Sequence, residues 1–172
     1  MSCLFNNGYS KANNCLEDNL AGVTEWYIAN YSGTTSWSAD ADNIITGVTN
    51  GPTTWFKIEQ YDEQGLHTNT HAQSETGQNV WTQGVEMVFF KNTSEVRDLV
   101  RVMTQTESIV IGLKNTGQYV LIGEKGLRGK DADASSGKAM EDFNGTRINL
   151  GGKQGYEARE ISSSFFGTLN VA

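Results

Sequence analysis

The sequence predicts a mainly β fold, an antiparallel β-sandwich or barrel with one flanking α-helix at about residues 94–105. Three observations predict it. Short segments rich in Val, Ile, Thr, Tyr, Phe and Trp recur along the chain, separated by clusters of Gly, Asn, Asp and Ser. Several segments alternate: Val85, Met87 and Phe89 share a face in "VEMVFF", and Phe56 and Ile58 oppose Lys57 and Glu59 in "TTWFKIEQY". Only one stretch has a helical period, with apolar residues at Val96, Leu99, Val100 and Met103.

The expected strands are, in order, 23–31, 43–49, 53–61, 66–73, 80–90, 108–114, 118–124, 146–150 and 163–171. The helix follows Asn92, Thr93 and Ser94, any of which is a capable cap, and Asn92 with Glu95 resembles a capping box. Val96, Leu99, Val100 and Met103 are its candidate packing residues, with Arg97, Asp98 and Arg101 on the opposite face. Pro52, the single proline, falls in the turn "TNGPTT". Segments 108–114 and 118–124 read as one hairpin around Asn115, Thr116 and Gly117, with Gly117 left-handed. This hairpin is apolar on both faces. Ile109, Ile111 and Leu113 oppose Val110, and Tyr119 and Leu121 oppose Val120 and Ile122. Both faces therefore need cover, either the chain's own core and helix or, on one face, a neighbouring subunit.

With 172 residues and no linker composition, the expectation is a single domain, 1–172, with an extended N-terminal segment (about 1–20) and a long loop (about 125–142). No stretch approaches the apolar length of a membrane span. The opening "MSCLFNNGYSKANNC" lacks the pattern of a secretory signal, so folding in a cytoplasm is expected. Cys3 and Cys15 then read as free thiols, and the sequons at Asn30, Asn92 and Asn144 as chance matches. The net charge of −7 is uneven: residues 1–90 hold ten acids against Lys11 and Lys57, whereas residues 91–172 hold eleven bases against ten acids. Such sums disfavour a basic nucleic-acid-binding face.

Catalytic patterns are weak. His67 and His71 have the spacing of helical zinc ligands, but "LHTNTHAQ" is a poor helix former without the accompanying glutamate of HExxH. Asp131, Asp133, Ser135 and Asp142 occupy positions 1, 3, 5 and 12 of a calcium loop that lacks its glycine and its final glutamate. "GEKGLRGKD" fails as a phosphate loop, since Glu124 and Asp131 stand where glycine and Ser or Thr are required. Two histidines and no nucleophile elbow leave no acyl-transfer triad. We therefore expect no enzyme and no metal or cofactor. Trp26, Trp37, Trp55 and Trp81 leave a sugar-binding sandwich open, although core packing is the commoner use of an indole.

Residues 117–160 resemble the tail-tube-like structural proteins of phages that infect Bacteroidetes. The resemblance rests on "GQYVLIGEKGL" followed by "SGKAMEDFNGTRINLGGKQGYEARE", at Gly117, Tyr119, Leu121, Gly126, Leu127, Ala139, Asp142, Asn144 and Gly145; the early "CLEDNLAGVTEWYIANY" is also similar. It implies a virion protein made in the host cytoplasm and located in the tail. It further implies a homo-oligomer of stacked, hexameric rings forming a tube for genomic DNA, with other tail or neck proteins as partners. A ring adaptor at the portal–tail junction is the alternative. In such a tube, strands of neighbouring subunits join edge to edge, and the acidic half of the chain is expected to line the lumen. Tyr119, Leu121, Arg128, Lys130, Asp131 and Asp133 are the candidate subunit-interface residues, the last four through the 125–142 loop.

Overall fold

A computed structural model describes residues 22–60 and 65–172; Cys3, Cys15 and the N-terminal segment lie outside the described residues. The elements are β1 (Val23–Asn30), β2 (Ser36–Ala39), β3 (Ile45–Thr49), β4 (Phe56–Glu59), β5 (Leu66–Gln73), β6 (Asn79–Phe90), α1 (Ser94–Gln105), β7 (Ser108–Lys114), β8 (Tyr119–Ser135), β9 (Gly145–Gln154), β10 (Arg159–Ile161) and α2 (Ser163–Phe166). They form a mainly β sandwich with a flanking helix, as the alternating segments predict. No helix among the described residues is long and apolar enough to cross a membrane.

Two sheets share one strand. The first has the order β2-β3-β10-β8-β7-β1-β4; the second is β8-β9-β6-β5, antiparallel throughout. Strand β8 enters the first sheet beside β7 and leaves it for the second, where Arg128 to Ser135 pair with β9. The change of sheet is made at "GEKG": Gly123 and Gly126 both have positive φ, of 80° and 84°. The expected 125–142 loop is therefore mostly strand, because two glycines let the backbone turn a corner without breaking the ladder. Only residues 136–144 remain as a loop.

Each face of the first sheet has its own core, which explains the two-faced hairpin. Val110, Val120 and Ile122 join Trp26, Ile28 and Ile58 against Val85, Met87, Ile148 and Leu150 of the second sheet and Met103 of α1. On the other face Ile109, Ile111 and Leu121 join Tyr27, Ile45, Trp55 and Ile161 beneath Phe165, Phe166 and Leu169. The chain covers both faces itself, so no neighbouring subunit is needed there.

Met103 of α1 is buried, Leu99 and Val100 pack on the core, and Val96 is half-buried. Thr93 is the cap, its side chain accepting from the Val96 N–H, whereas the Asn92 amide ties the helix entry to Ser135 and Thr146. Two other differences arise from short elements. Segment 163–171, expected as a strand, holds α2, because the Ser162 hydroxyl caps it by accepting from the Phe165 N–H. Strands β2 and β10, four and three residues long, are too brief for a two-residue period to register.

Candidate functional site

The second sheet has a dry face and a wet face. Val85, Met87, Ile148 and Leu150 point into the core, while Leu66, Thr68, Thr70, Thr82, Glu86, Lys130, Asp131 and Asn149 line a furrow of about 380 Å³ and mixed polarity on the other side. The furrow exists because Gly84 and Gly151, directly paired across β6 and β9, carry no side chains. Lys130 lies over Gly151, where a Cβ would meet its Cγ and Cε at 3.2 Å. Asp131 accepts from the Asn149 amide at 2.6 Å. The bulge between Gly129 and Asp131 turns both Lys130 and Asp131 to this face.

Among the described residues the outer edges of β5 and of the β8 segment 128–135 make no strand pairing. The β5 edge is uncharged apart from its histidines, "LHTNTHAQ", and the β8 edge reads "RGKDADAS". Helix α1 runs alongside β8. Asn92 bonds the Ser135 carbonyl, Gly129 abuts Thr104, and Arg128 pairs with Glu107 at 2.5 Å.

The corner itself is braced from within. Buried Gln83 accepts from the Gly123 N–H at 2.8 Å and donates to the Tyr156 carbonyl at 3.0 Å. Buried Gln154 accepts from the Lys125 N–H and donates to the Gly126 carbonyl. Both satisfy backbone groups that the ladder abandons at the bend. Beside them Arg159 forms a fork on Glu124, at 2.5 and 2.7 Å, with side chains only 11% and 15% exposed.

The sequence-predicted interface residues separate into two groups. Arg128, Lys130, Asp131 and Asp133 lie together on the β8 segment of the second sheet, as strand residues rather than loop residues. Leu121 is fully buried in the chain's own core, and the Tyr119 ring stacks on Phe166 at 3.9 Å. Leu121 therefore offers no surface to a neighbour, whereas Tyr119 is only half-buried. Among the described acids of the first half, Glu86 lies on the wet face of the second sheet, with Asp131 and Asp133 and with the bases Arg128, Lys130 and Arg147 of the second half. Glu25 and Glu59 instead hold Lys57 at the β1–β4 edge. Those bonds keep the Glu25 carboxyl low and the Lys57 ammonium high.

Other motifs resolve structurally. Asp131, Asp133 and Ser135 alternate along a strand, while Asp142 accepts from the Lys138 and Ala139 N–H groups, which lowers its pKa. His67 and His71 sit four residues apart on β5, about 13 Å on an extended chain, too far to share an ion. Burial, with the Lys114 charge second, pulls the His67 pKa down to about 4. Among the described residues no group of three or more His, Cys, Asp or Glu is arranged to hold a metal. Trp26 lies in one core and Trp55 in the other, Trp37 packs edge-on to Trp55, and Trp81 meets His71. The four indoles therefore do not pair in a surface groove.

Sequence reasoning missed two exposed apolar features. Met140, in the 136–144 loop, is fully exposed. An apolar groove of about 360 Å³ runs between α1 and β4, lined by Ile28, Phe56, Leu99, Val102 and Met103 with Asp98 at its rim. No signal marks either one: Met140 stands in a polar stretch, and the groove joins residues distant in sequence.

No protein-family model, curated protein or solved structure matches the chain.

Proposed function

We propose that the chain is a structural subunit of the tail-tube type, which assembles into stacked, hexameric rings of a phage tail enclosing a channel for DNA. The observation that supports this reading is the four-stranded second sheet, with one wet face and two edges that, among the described residues, pair with no further strand. Its strands alternate in direction across β5, β6, β9 and β8. Copies rotated about an axis along the strands therefore bring β5 of one beside β8 of the next in antiparallel orientation. Edge-to-edge pairing satisfies the backbone row of β5 and the groups of the β8 row that α1 and Asn92 leave open, and because the two edges differ, the contact is head-to-tail, the kind that closes into a ring when the rotation per copy divides a full turn.

The wet face then lines the channel. Its Thr and Asn groups and its near-balanced charges, Glu86, Asp131 and Asp133 against Arg128, Lys130 and Arg147, suit passage of a polyanion. A strongly basic wall would instead gain affinity by releasing counterions and hold the DNA. On this reading the chain has no active site, and its partners are copies of itself and other tail or neck proteins.

Negative-stain microscopy of the purified protein tests the reading. Long hollow tubes are expected. Isolated rings would favour a single-ring adaptor at the portal–tail junction, and persistent monomers at high concentration would sink both.

A further inference from the structure

Strand β5 is the least anchored strand of the second sheet. Its neighbours each bury side chains between the sheets: Val85 and Met87 from β6, Ile148 and Leu150 from β9, and Leu127 from β8. No residue of β5 joins either core, and none of its eight residues is buried. Leu66, its one large apolar side chain, is 51% exposed. Strand alternation turns Thr68 and Thr70 toward the furrow and His67, Asn69 and His71 toward the opposite face. There the Nε2 of His67 and the Oδ1 of Asn69 are buried without a hydrogen-bond partner among the described residues. Each such atom weakens the strand that carries it, because water satisfies it on release.

The two ends of β5 are held differently. At the Gln73 end the turn to β6 is closely bonded: the Ser74 carbonyl accepts from the Gly77 N–H at 2.9 Å, and the Ser74 hydroxyl accepts from the Gln78 N–H at 3.1 Å. The His71 ring also packs 4.9 Å from Trp81, and its Nε2 meets the Asn79 side chain at 3.2 Å. At the other end, just ahead of Leu66, one bridge ties the chain to β1, where the Val23 N–H donates to the Gly65 carbonyl at 3.3 Å. Between the ends β6 is the one strand that pairs with β5 among the described residues.

We propose that the Leu66–Thr70 part of β5 is a releasable strap, which peels from β6 as a unit while His71 and the 74–78 turn stay in place and both cores remain folded. Peeling breaks ladder bonds but uncovers little apolar surface, so it requires less free energy than unfolding of the sandwich. On the ring reading above, on which this consequence rests, β5 is the edge that receives the next copy. Pairing then fixes the strap, so each joint between subunits includes an ordering step that weakens the association of two lone copies.

Amide hydrogen exchange, read residue by residue by NMR on the wild-type chain, tests the strap. The amides of Leu66–Thr70 that bond β6 are expected to exchange at least about tenfold faster than the amides that join β6 to β9. Their rates are expected to change little with low urea, because the opening exposes little surface. N69V removes the unpartnered oxygen and supplies a β-branched side chain, and is expected to slow that exchange about tenfold; circular dichroism checks its fold. Strap amides that match those of β9 in rate and urea dependence would overturn the proposal, as would N69V exchanging like the wild type. On the ring reading N69V also forms tubes at a lower concentration than the wild type, and an unchanged threshold would overturn the part of the strap in assembly. Absence of rings from both chains counts against the ring reading alone, since the exchange experiment reads the strap by itself.

Discussion

Replacing Gly123 with alanine tests the corner at which β8 leaves one sheet for the other. Gly123 has φ +80°, and a Cβ there would lie 2.4 Å from Cγ of Leu127, a fully buried core residue. Two costs add. The left-handed backbone costs an alanine about 1 kcal/mol, and pushing Leu127 aside in a filled core costs about 1–3 kcal/mol more. Gly117 provides the control, since its φ is +85° but nothing lies within 4 Å of its added Cβ. The control variant G117A is thus expected to lose only the backbone part, about 1 kcal/mol. Urea unfolding monitored by tryptophan fluorescence measures both, against a total stability of about 5–15 kcal/mol for a domain of this kind. Equal losses in G123A and G117A would refute the packing role given to the corner.

The other expectations concern the corner, the edge and pH. Substituting Gln83 with methionine strands the buried Gly123 N–H and is expected to cost about 2 kcal/mol, read by the same unfolding curves. Arg159→Leu leaves Glu124 charged and mostly buried, for a loss of about 3 kcal/mol that salt does little to mask; a loss that vanishes at high salt would contradict the buried geometry. Reversing both Arg128 and Lys130 to glutamate should impair assembly seen by microscopy yet leave the melting temperature nearly unchanged, because the Arg128–Glu107 pair is largely exposed. His67, at about 4 in the fold against about 6.5 unfolded, binds its proton more readily when the chain unfolds. It therefore contributes stability above pH 6.5 that is lost as pH falls toward 4, up to about 3 kcal/mol. His67→Gln should flatten the pH dependence of stability across that window.

The alternating segments and the single 3.6-residue period were enough to read a β-sandwich, its long strands and α1, because burial of one face imposes a period that survives in one dimension. The hairpin at 108–124 was legible for the same reason, down to the left-handed Gly117. Its need for cover on both faces was also readable, but the identity of the cover was not. Only the packing of α2 and Trp55 on one side, and of the second sheet and α1 on the other, decided that. "GEKGLRGKD" was read as a charged loop because glycine and charge usually mark one. It is a strand, since Gln83 and Gln154, forty and twenty-nine residues from their partners, supply the hydrogen bonds lost at the bend.

Composition and periodicity determined what local physics encodes: a mainly β fold, one amphipathic helix and a two-faced central hairpin. Tertiary structure decided everything that depends on distant residues meeting. It placed Leu121 in the core and Arg128 to Asp133 on an edge, and it balanced the charges of the wet face against an acidic sequence half. It also set Met140 outside and an apolar groove beside α1. These outcomes depend on contacts between segments far apart in the chain, and no local period records such contacts.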